Sequence, residues 1–230
     1  MTIQRRNFYE DTMGKSKREF PKIELPNSNH PPRNPNPQSL DGFEYVPSLN
    51  LYVSKQKELH RKNWSDCQSI LNERGDRMPT PLEFIEFLKH LRGKQDSDSR
   101  EILNEIYEIR DPWRAEWLDG RFEVQNGKKM NYHEFDNSGR IVEKSVDLSG
   151  VLMQDKIPGV DINSWLANNQ YGLPQAGIKS GDLYYWKPRN GTVARFCAYS
   201  VGAGLYCGGV PSNRSDGLGV RAVRRLAQKI

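Results

Sequence analysis

The sequence predicts an α+β fold in which helices lie near the N-terminus and short irregular strands follow them. Apolar residues recur at helical spacing in the first half of the chain, between Trp64 and Ile109. Beyond Pro112 this periodicity fades, and after Thr192 short alternating runs are interrupted by glycines. Because helical and strand-like segments are segregated along the chain, a doubly wound sheet is excluded.

Composition restricts the class of protein. The chain has 230 residues, a net charge of +5 and 36% hydrophobic residues, which suits one large domain or one domain and a tail. It has no run of about 18 apolar residues and no apolar signal segment, so we expect no membrane insertion and a cytoplasmic or virion-associated protein. Three cysteines without C-x-x-C spacing favour free thiols over a zinc site or a disulfide framework.

The first forty residues differ in composition from the rest, being rich in proline, asparagine and basic side chains. Proline fixes φ and lacks an N–H group, so neither a helix nor a central strand can run through Pro31 to Pro37. We therefore predict an extended or disordered arm over residues 1–40 and a globular domain over residues 41–230. The arm is either inert or a docking segment for a partner.

Three helices are predicted in the first half of the globular domain. The first covers residues 64–71. The second begins at Thr80, since the T-P-L-E motif supplies a capping threonine, a proline at the first helical position and a glutamate that completes a capping box. The third begins near Asp98. The four-residue spacing of Trp113 and Trp117 predicts one further turn of helix.

Short strands are predicted on both sides of these helices. In chain order they cover residues 45–46, 49–53, 122–124, 130–135 and 181–186. A turn at Asn126-Gly127 joins the third of them to the fourth. Asp161 predicts the start of one more short helix, which ends near Ala167.

The segment from Val193 to Arg224 shows two faces of different character. Alternation gives one inner set of small or apolar side chains, which continues after a slip of one residue at Gly202. The inner set consists of Ala194, Phe196, Ala198 and Ser200 before the slip, and of Ala203, Leu205 and Cys207 after it. The outer set mixes cysteine, tyrosine, valine and glycine. A packed core would not specify such a mixture, but a displayed surface tolerates it.

Common enzyme motifs are missing from the chain. It has no G-x-x-x-x-G-K-[ST] phosphate loop, no H-E-x-x-H and no G-x-S-x-G, and its four histidines lie far apart. We therefore predict a protein that is not an enzyme and has no metal or cofactor. Cys197 and Cys207 leave one alternative, a redox pair, near which only Arg195 lowers a thiol pKa.

Five stretches of the chain form a more specific pattern. They are residues 78–84 (MPTPLEF), 110–119 (RDPWRAEWLD), 181–186 (GDLYYW), 193–196 (VARF) and 218–224 (LGVRAVR). The pattern spans about residues 43 to 225 and resembles that of the variable proteins of diversity-generating retroelements. Those are ligand-display proteins with a C-type lectin fold of the formylglycine-generating-enzyme type.

The resemblance implies this fold and a binding function for the C-terminal segment, with a variable region at about residues 193–224. In the family, adenine-directed mutagenesis rewrites chosen codons, so that the surface recognises varied ligands, which we expect to be proteins. Such codons do not yield Lys, Glu, Gln, Met or Trp, and none of these occurs from Phe196 to Val220. The implied ligand-binding positions are Cys197, Tyr199, Val201, Gly202, Gly204, Tyr206, Gly208, Gly209, Val210, Asn213, Ser215 and Gly217.

The same resemblance implies a frame of buried residues beneath that surface. The frame consists of Ala194, Phe196, Ala198, Leu205, Leu218, Val220 and Val223, with Trp113 and Trp186 as large core anchors. Arg221 and Arg224 are expected to be buried or ion-paired.

Three other functions stay open. The first is a formylglycine-generating-type enzyme that uses Cys197 and Cys207. The second is a calcium-dependent sugar-binding lectin, although the E-P-N, Q-P-D and W-N-D triplets are absent. The third is a nucleic-acid-binding protein that uses the basic arm and Arg224-Arg225.

Overall fold

The computed structural model describes residues 40–94, 96–109, 111–125 and 127–226. The chain divides into two compact units, Met1–Asn36 and Pro37–Ile230, and all described residues belong to the second. The predicted arm therefore lies outside the described residues, except for Leu40. The second unit is a mixed α+β structure in which strands predominate, as the sequence predicts.

Strands precede, separate and follow the helices. In chain order the elements are β1 (Phe43–Val46), β2 (Leu51–Ser54), α1 (Trp64–Glu73), α2 (Pro81–Lys94), α3 (Ser97–Tyr107), β3 (Arg114–Glu123), β4 (Lys129–Phe135), β5 (Ile141–Asp147), β6 (Lys156–Val160), α4 (Ile162–Ala167), β7 (Asn169–Gln170), β8 (Leu173–Pro174), β9 (Leu183–Trp186), β10 (Val193–Tyr199), β11 (Gly202–Gly209), β12 (Leu218–Val220) and β13 (Val223–Arg224). The prediction that the helices are N-terminal is therefore wrong. Strand β2 pairs with both β1 and β13, so the first strands complete a sheet with the end of the domain.

The helix starts follow the capping chemistry of the sequence. At the start of α2, the Thr80 hydroxyl accepts a hydrogen bond from the Glu83 N–H at 3.2 Å, and the Glu83 carboxylate accepts one from the Thr80 N–H at 2.9 Å. This is the predicted capping box. Asp96 caps α3 and Asp161 caps α4 in the same way, each accepting a bond from the N–H three residues later.

The predicted helical turn at Trp113 and Trp117 is wrong, because Trp117 lies inside the ten-residue strand β3. The side chains there alternate with a period of two. Ala115 and Trp117 pack into one core, whereas Glu116 between them forms ion pairs. Strands β5 and β6 were not predicted. Strand β5 has an exposed, charged pattern that gives no apolar signal.

The largest sheet has eight strands, with β3, β10 and β11 at its centre in the order β5-β4-β3-β10-β11-β9-β6, and with β12 paired to β3. Both faces of the centre are covered. On the inner face, Phe196 packs against Phe84 of α2 and stacks on Trp165 of α4. On the outer face, Cys67 of α1 and Trp117 belong to a second, smaller core.

A tight hairpin joins β10 to β11. Tyr199 pairs with Gly202, so only Ser200 and Val201 form the turn. The predicted shift of one residue in the alternation at Gly202 therefore marks the hairpin turn, where the chain reverses direction. The inward and outward alternation of side chains then continues along β11 in the same sheet. Six of the seven members of the predicted inner set are buried in the main core. The prediction is wrong for Ser200, which is exposed because it lies in the turn.

No helix in the described part of the chain is long and apolar enough to span a lipid bilayer.

Candidate ligand-binding surface

Five half-buried aromatic side chains form a continuous surface on the outer side of the sheet. The ring centroids of Tyr184 and Trp186 are 5.6 Å apart, and the Trp186 ring lies 5.1 Å from Tyr206 and 6.2 Å from Tyr199. Tyr199 in turn stacks on Trp113 at 5.8 Å. We call these five residues the aromatic strip. Its rings contact one another, so they form one surface and not five separate sites.

Strand pairing places these rings on one face. Strand β9 runs parallel to β11, with Tyr184 opposite Gly204 and Trp186 opposite Tyr206. Residues directly opposite each other point to the same side of a sheet, so Trp186 and Tyr206 are neighbours. The Tyr184 ring occupies the space above Gly202, where a Cβ would lie 2.3 Å from a ring carbon.

Arg195 lies beneath the aromatic strip and is 8% exposed. Its Cζ is 4.6 Å from the centroid of the Tyr206 ring, 5.2 Å from that of Trp113 and 5.9 Å from that of Trp117. Nη2 lies 3.5 Å from the Tyr199 hydroxyl. Among the described residues, Nε and Nη1 have no hydrogen-bond partner. Cation–π contacts therefore hold a buried guanidinium whose donors are largely unused.

Seven of the twelve predicted ligand-binding residues reach solvent. Val201 and Val210 are 51% and 58% exposed, and Tyr199 and Tyr206 are half-buried at the edge of the second core. Asn213, Ser215 and Gly217 are partly exposed. The structure brings the two tyrosines together, because both contact the ring of Trp186.

Cys197 does not belong to the exposed surface. It is fully buried in the second core, where α1 covers this part of the outer face and contributes Cys67 and Leu71 to the same cluster. The prediction that Cys197 contacts a ligand is corrected accordingly. Sequence alternation assigned the correct face but could not show that a helix covers part of it.

The buried glycines also correct the prediction. Gly202, Gly204, Gly208 and Gly209 are all buried. A Cβ at Gly204 would lie 2.0 Å from the Tyr184 carbonyl oxygen, and one at Gly209 would lie 2.6 Å from a carbonyl oxygen of β10. These two positions require glycine because backbone atoms fill the space. Gly208 differs, since its nearest neighbour is the Tyr206 ring at an ordinary contact distance of 3.4 Å.

Gly217 reaches solvent but also has no room for a side chain. A Cβ there would lie 2.1 Å from the Trp113 carbonyl oxygen. The implied variation at this position is therefore not compatible with the observed backbone.

Four residues of the surface were not predicted as site residues. Arg195 and Tyr184 were not assigned to the site, and Trp113 and Trp186 were expected to be core anchors but are only half-buried. Alternation within the GDLYYW stretch carried a usable signal. It places Tyr184 and Trp186 on the face opposite the fully buried Tyr185.

The cysteines do not form a reactive pair. Cys197 lies in the second core and Cys207 in the main core, and these cores occupy opposite faces of the sheet. Burial raises the pKa of both thiols, which outweighs the opposite effect of Arg195 on Cys197. Burial also raises the pKa of Cys67 to about 12. None of these thiols has the exposed, electropositive surroundings typical of a nucleophilic cysteine.

The C-terminal arginines are ion-paired, as predicted. Arg221 is fully buried and its Nε donates to the Glu116 carboxylate at 2.8 Å. Arg224 donates two hydrogen bonds to the Asp76 carboxylate, at 2.7 and 2.8 Å. Their charges are used within the protein, so neither side chain is available as a primary phosphate contact.

A cleft of about 470 Å³ shares no residue with the aromatic strip and is lined by Lys55, Lys57, Glu58, Arg74 and Arg224 among others. Burial, with the field of a nearby arginine, lowers the pKa of Lys57 to about 8. Arg74 forms ion pairs with acidic neighbours, as Arg224 does. Lys55 also pairs with Asp98, so three of the four cations that line the cleft are engaged by carboxylates of the protein itself.

The residues that the structure describes include no group of three or more His, Cys, Asp or Glu side chains that could hold a metal ion.

Comparison of the chain with protein-family models, with curated proteins and with solved structures finds no match.

Proposed function

We propose that this chain is a non-enzymatic ligand-display protein whose C-terminal surface is diversified by a retroelement. In this proposal the fold is C-type lectin-like, of the formylglycine-generating-enzyme type. The ligand is a protein, since clustered tyrosine and tryptophan side chains are typical of protein interfaces. Tyrosine gives a large amphipathic contact area with few rotatable bonds to immobilise.

The division of the β10–β11 hairpin into two faces is the observation that carries the proposal. Its inner face is buried in the main core, whereas Tyr199, Val201, Tyr206 and Val210 reach solvent. Surface substitutions away from core contacts usually change stability by less than about 0.5 kcal/mol. Side-chain chemistry can therefore vary on the outer face while the fold is kept.

The proposed diversified set is narrower than the sequence alone implies. It excludes Cys197 and the three glycines whose Cβ atoms would meet backbone. Gly202 is also left out, because a side chain at this position would require the Tyr184 ring to move aside. The remaining positions are Tyr199, Val201, Tyr206, Gly208, Val210, Asn213 and Ser215.

The genetic part of the proposal is tested by the DNA that surrounds the coding sequence. We expect a reverse-transcriptase gene nearby, with a near-copy of the DNA that encodes residues 193–224. The two copies should differ only where the template has adenine. Differences scattered over other bases, or concentrated in the codons of Phe196 and Leu205, would contradict diversification of this surface.

The structural part is tested with two matched libraries. One randomises four solvent-reaching positions: 199, 201, 206 and 210. The control library randomises four inward positions of the same hairpin: 194, 196, 203 and 205. We expect most members of the first library to stay folded in a protease-resistance screen and most members of the second to be digested. Equal losses in both libraries would contradict a surface that is free to vary.

A further inference from the structure

We propose that the aromatic strip recognises an acidic segment of a protein ligand, and that one carboxylate of this segment pairs with the guanidinium of Arg195. This inference rests on the proposed binding function and names the chemistry of its ligand. It concerns a residue outside the predicted variable positions.

Among the residues that the structure describes, Arg195 differs from the other buried arginines in having no acidic partner. Of the described residues, four arginines are buried. Arg77 pairs with Glu83, and Arg114 and Arg221 both pair with Glu116. Arg195 instead contacts aromatic rings, the Tyr199 hydroxyl and the neutral Cys197 thiol, and no described acidic side chain pairs with it. Buried charges in folded proteins are normally paired, so this unpaired guanidinium points to a partner supplied from outside.

The surroundings of Arg195 allow such a partner to reach it. The rings of Tyr206 and Trp113 lie against the guanidinium, and its contact with the Tyr199 hydroxyl is at the long limit for a hydrogen bond. In this proposal, rotation of the Tyr206 or Tyr199 side chain would uncover guanidinium N–H groups. Rotamer changes of this kind are common when proteins bind. A carboxylate can then accept two parallel hydrogen bonds from the guanidinium fork.

A protein carboxylate fits this site better than a nucleic-acid phosphate. Among the described residues, Arg195 is the only cation in ring contact with the aromatic strip. Nucleic acids are held by several simultaneous phosphate contacts, which one guanidinium does not provide. The rings on either side suit apolar neighbours of a single charge. We therefore expect an aspartate or glutamate flanked by apolar residues.

The anion site belongs to the fixed part of the surface. Arg195, Trp113, Tyr184 and Trp186 all lie outside the predicted variable positions, whereas Tyr199 and Tyr206 lie within them. Variants of this surface would thus share a preference for an acidic residue, and the variable positions would select what surrounds it.

Selection of a randomised peptide-display library on the full chain tests the inference. We expect the enriched peptides to carry an aspartate or glutamate beside apolar residues. Replacing that acid with its amide should weaken binding of the peptide to the wild-type protein at least tenfold, which is about 1.4 kcal/mol. This comparison needs no protein variant, so it decides the matter even if a change at Arg195 prevents folding.

Two protein variants test whether the preference for the acidic peptide over its amide depends on Arg195. Arg195→Gln should bind the acidic peptide and its amide with equal, weakened affinity, while circular dichroism reports whether it is folded. Arg189→Gln is the matched control, because Arg189 is an exposed arginine paired with Asp155. The control should bind the acidic peptide as tightly as the wild type does.

The possible failures are distinguishable. If enriched peptides show no preference for acid over amide, yet lose binding in Tyr199→Ala and Tyr206→Ala, the inference is overturned and the proposed function stands. If no peptide binds the aromatic strip, both are contradicted. If a single-stranded oligonucleotide displaces the peptides with a steep salt dependence, the ligand is a nucleic acid and the inference is wrong.

Discussion

Glu116 is a fully buried carboxylate held between two arginines that are far apart in sequence. Arg114 contacts it from the same strand at 3.2 Å, and Arg221 contacts it at 2.8 Å. Burial alone would raise the pKa of Glu116, but the fields of Arg221 and Arg114 outweigh it and lower this pKa. At the residue scale, the buried charge of Glu116 is therefore stabilised by two opposite charges that meet it in the interior.

Replacement of Glu116 by glutamine should destabilise the protein by roughly 3–5 kcal/mol, since it removes the buried carboxylate that two buried arginines share and leaves them only the more exposed Glu105. Urea unfolding measures this change. Because the folded-state pKa lies below the ordinary value of 4.5, the difference from wild type should be complete above that pH and shrink as pH falls through the folded-state pKa.

The matched control for this change is Glu134→Gln. Glu134 pairs with Lys144, and both side chains are more than one-third exposed. We expect a loss of about 0–1 kcal/mol, as for other surface pairs. Equal losses for the two variants would contradict the account of the buried network.

The three cysteines allow a second prediction at the residue scale. All are buried and none is in a disulfide. The pKa of Cys67 is raised by burial from its ordinary value of 9.0 to about 12, which lowers its thiolate fraction about a thousandfold. Ellman's reagent should therefore react very slowly with the native protein and should titrate all three thiols after unfolding in urea. Rapid reaction of one thiol in the native state would revive the redox alternative.

At the scale of elements, glycine sets how closely β11 approaches its neighbours. Gly204 lies opposite Tyr184 of the parallel strand β9, and there is no space between them for a Cβ. Two positions further along the same face, Tyr206 lies opposite Trp186 and both side chains point outwards. Under the proposed function, this alternation of a required glycine with a permitted side chain would let the strand vary at some positions and not at others.

Gly204→Ala should destabilise the domain by about 3 kcal/mol or more, because the added methyl group meets a backbone oxygen that cannot move without disturbing the strand pair. Gly208→Ala is the control on the same strand. Its Cβ would make only an ordinary contact with the Tyr206 ring, so a loss below about 1 kcal/mol is expected. Thermal unfolding of both variants checks the prediction. A larger loss for Gly208→Ala would show that the glycine requirement has been misassigned.

At the scale of the whole molecule, the main sheet lies between two cores that draw on distant parts of the chain. The main core combines Val46 near the start of the domain with helices α2 and α3 and with Val223 near its end. The second core combines α1 with β3, β10 and β12. The described residues thus stabilise one another across nearly their full length.

Removal of residues 1–36 should therefore leave the domain folded, with a melting midpoint within about 4 °C of the full chain. Removal of residues 1–46 is the matched control. It deletes β1 and the fully buried Val46, so the midpoint should fall by more than that amount. Calorimetry with circular dichroism provides the measurement. Equal midpoints for the two shortened chains would show that β1 is dispensable.

Local chemistry in the sequence determined much of this protein. The capping box at Thr80 and Glu83, the cap at Asp161 and, apart from Ser200, the inner set of the β10–β11 hairpin follow from neighbours a few residues apart, and the structure has these features. Such features depend on backbone hydrogen bonds and on a period of two or 3.6 residues. Both can be recognised without knowledge of the fold.

Only the tertiary structure decided which part of the outer face reaches solvent. Helix α1 buries Cys197, strand β9 leaves no room for a side chain at Gly204, and the same strand brings Trp186 beside Tyr206. The surroundings of the Arg195 guanidinium likewise depend on rings from two other segments, with Trp113 and Trp117 at β3 and Tyr206 on β11. Burial and charge pairing at these residues are set by groups far away in the chain, and the alternation of residues along a single strand contains no information about them.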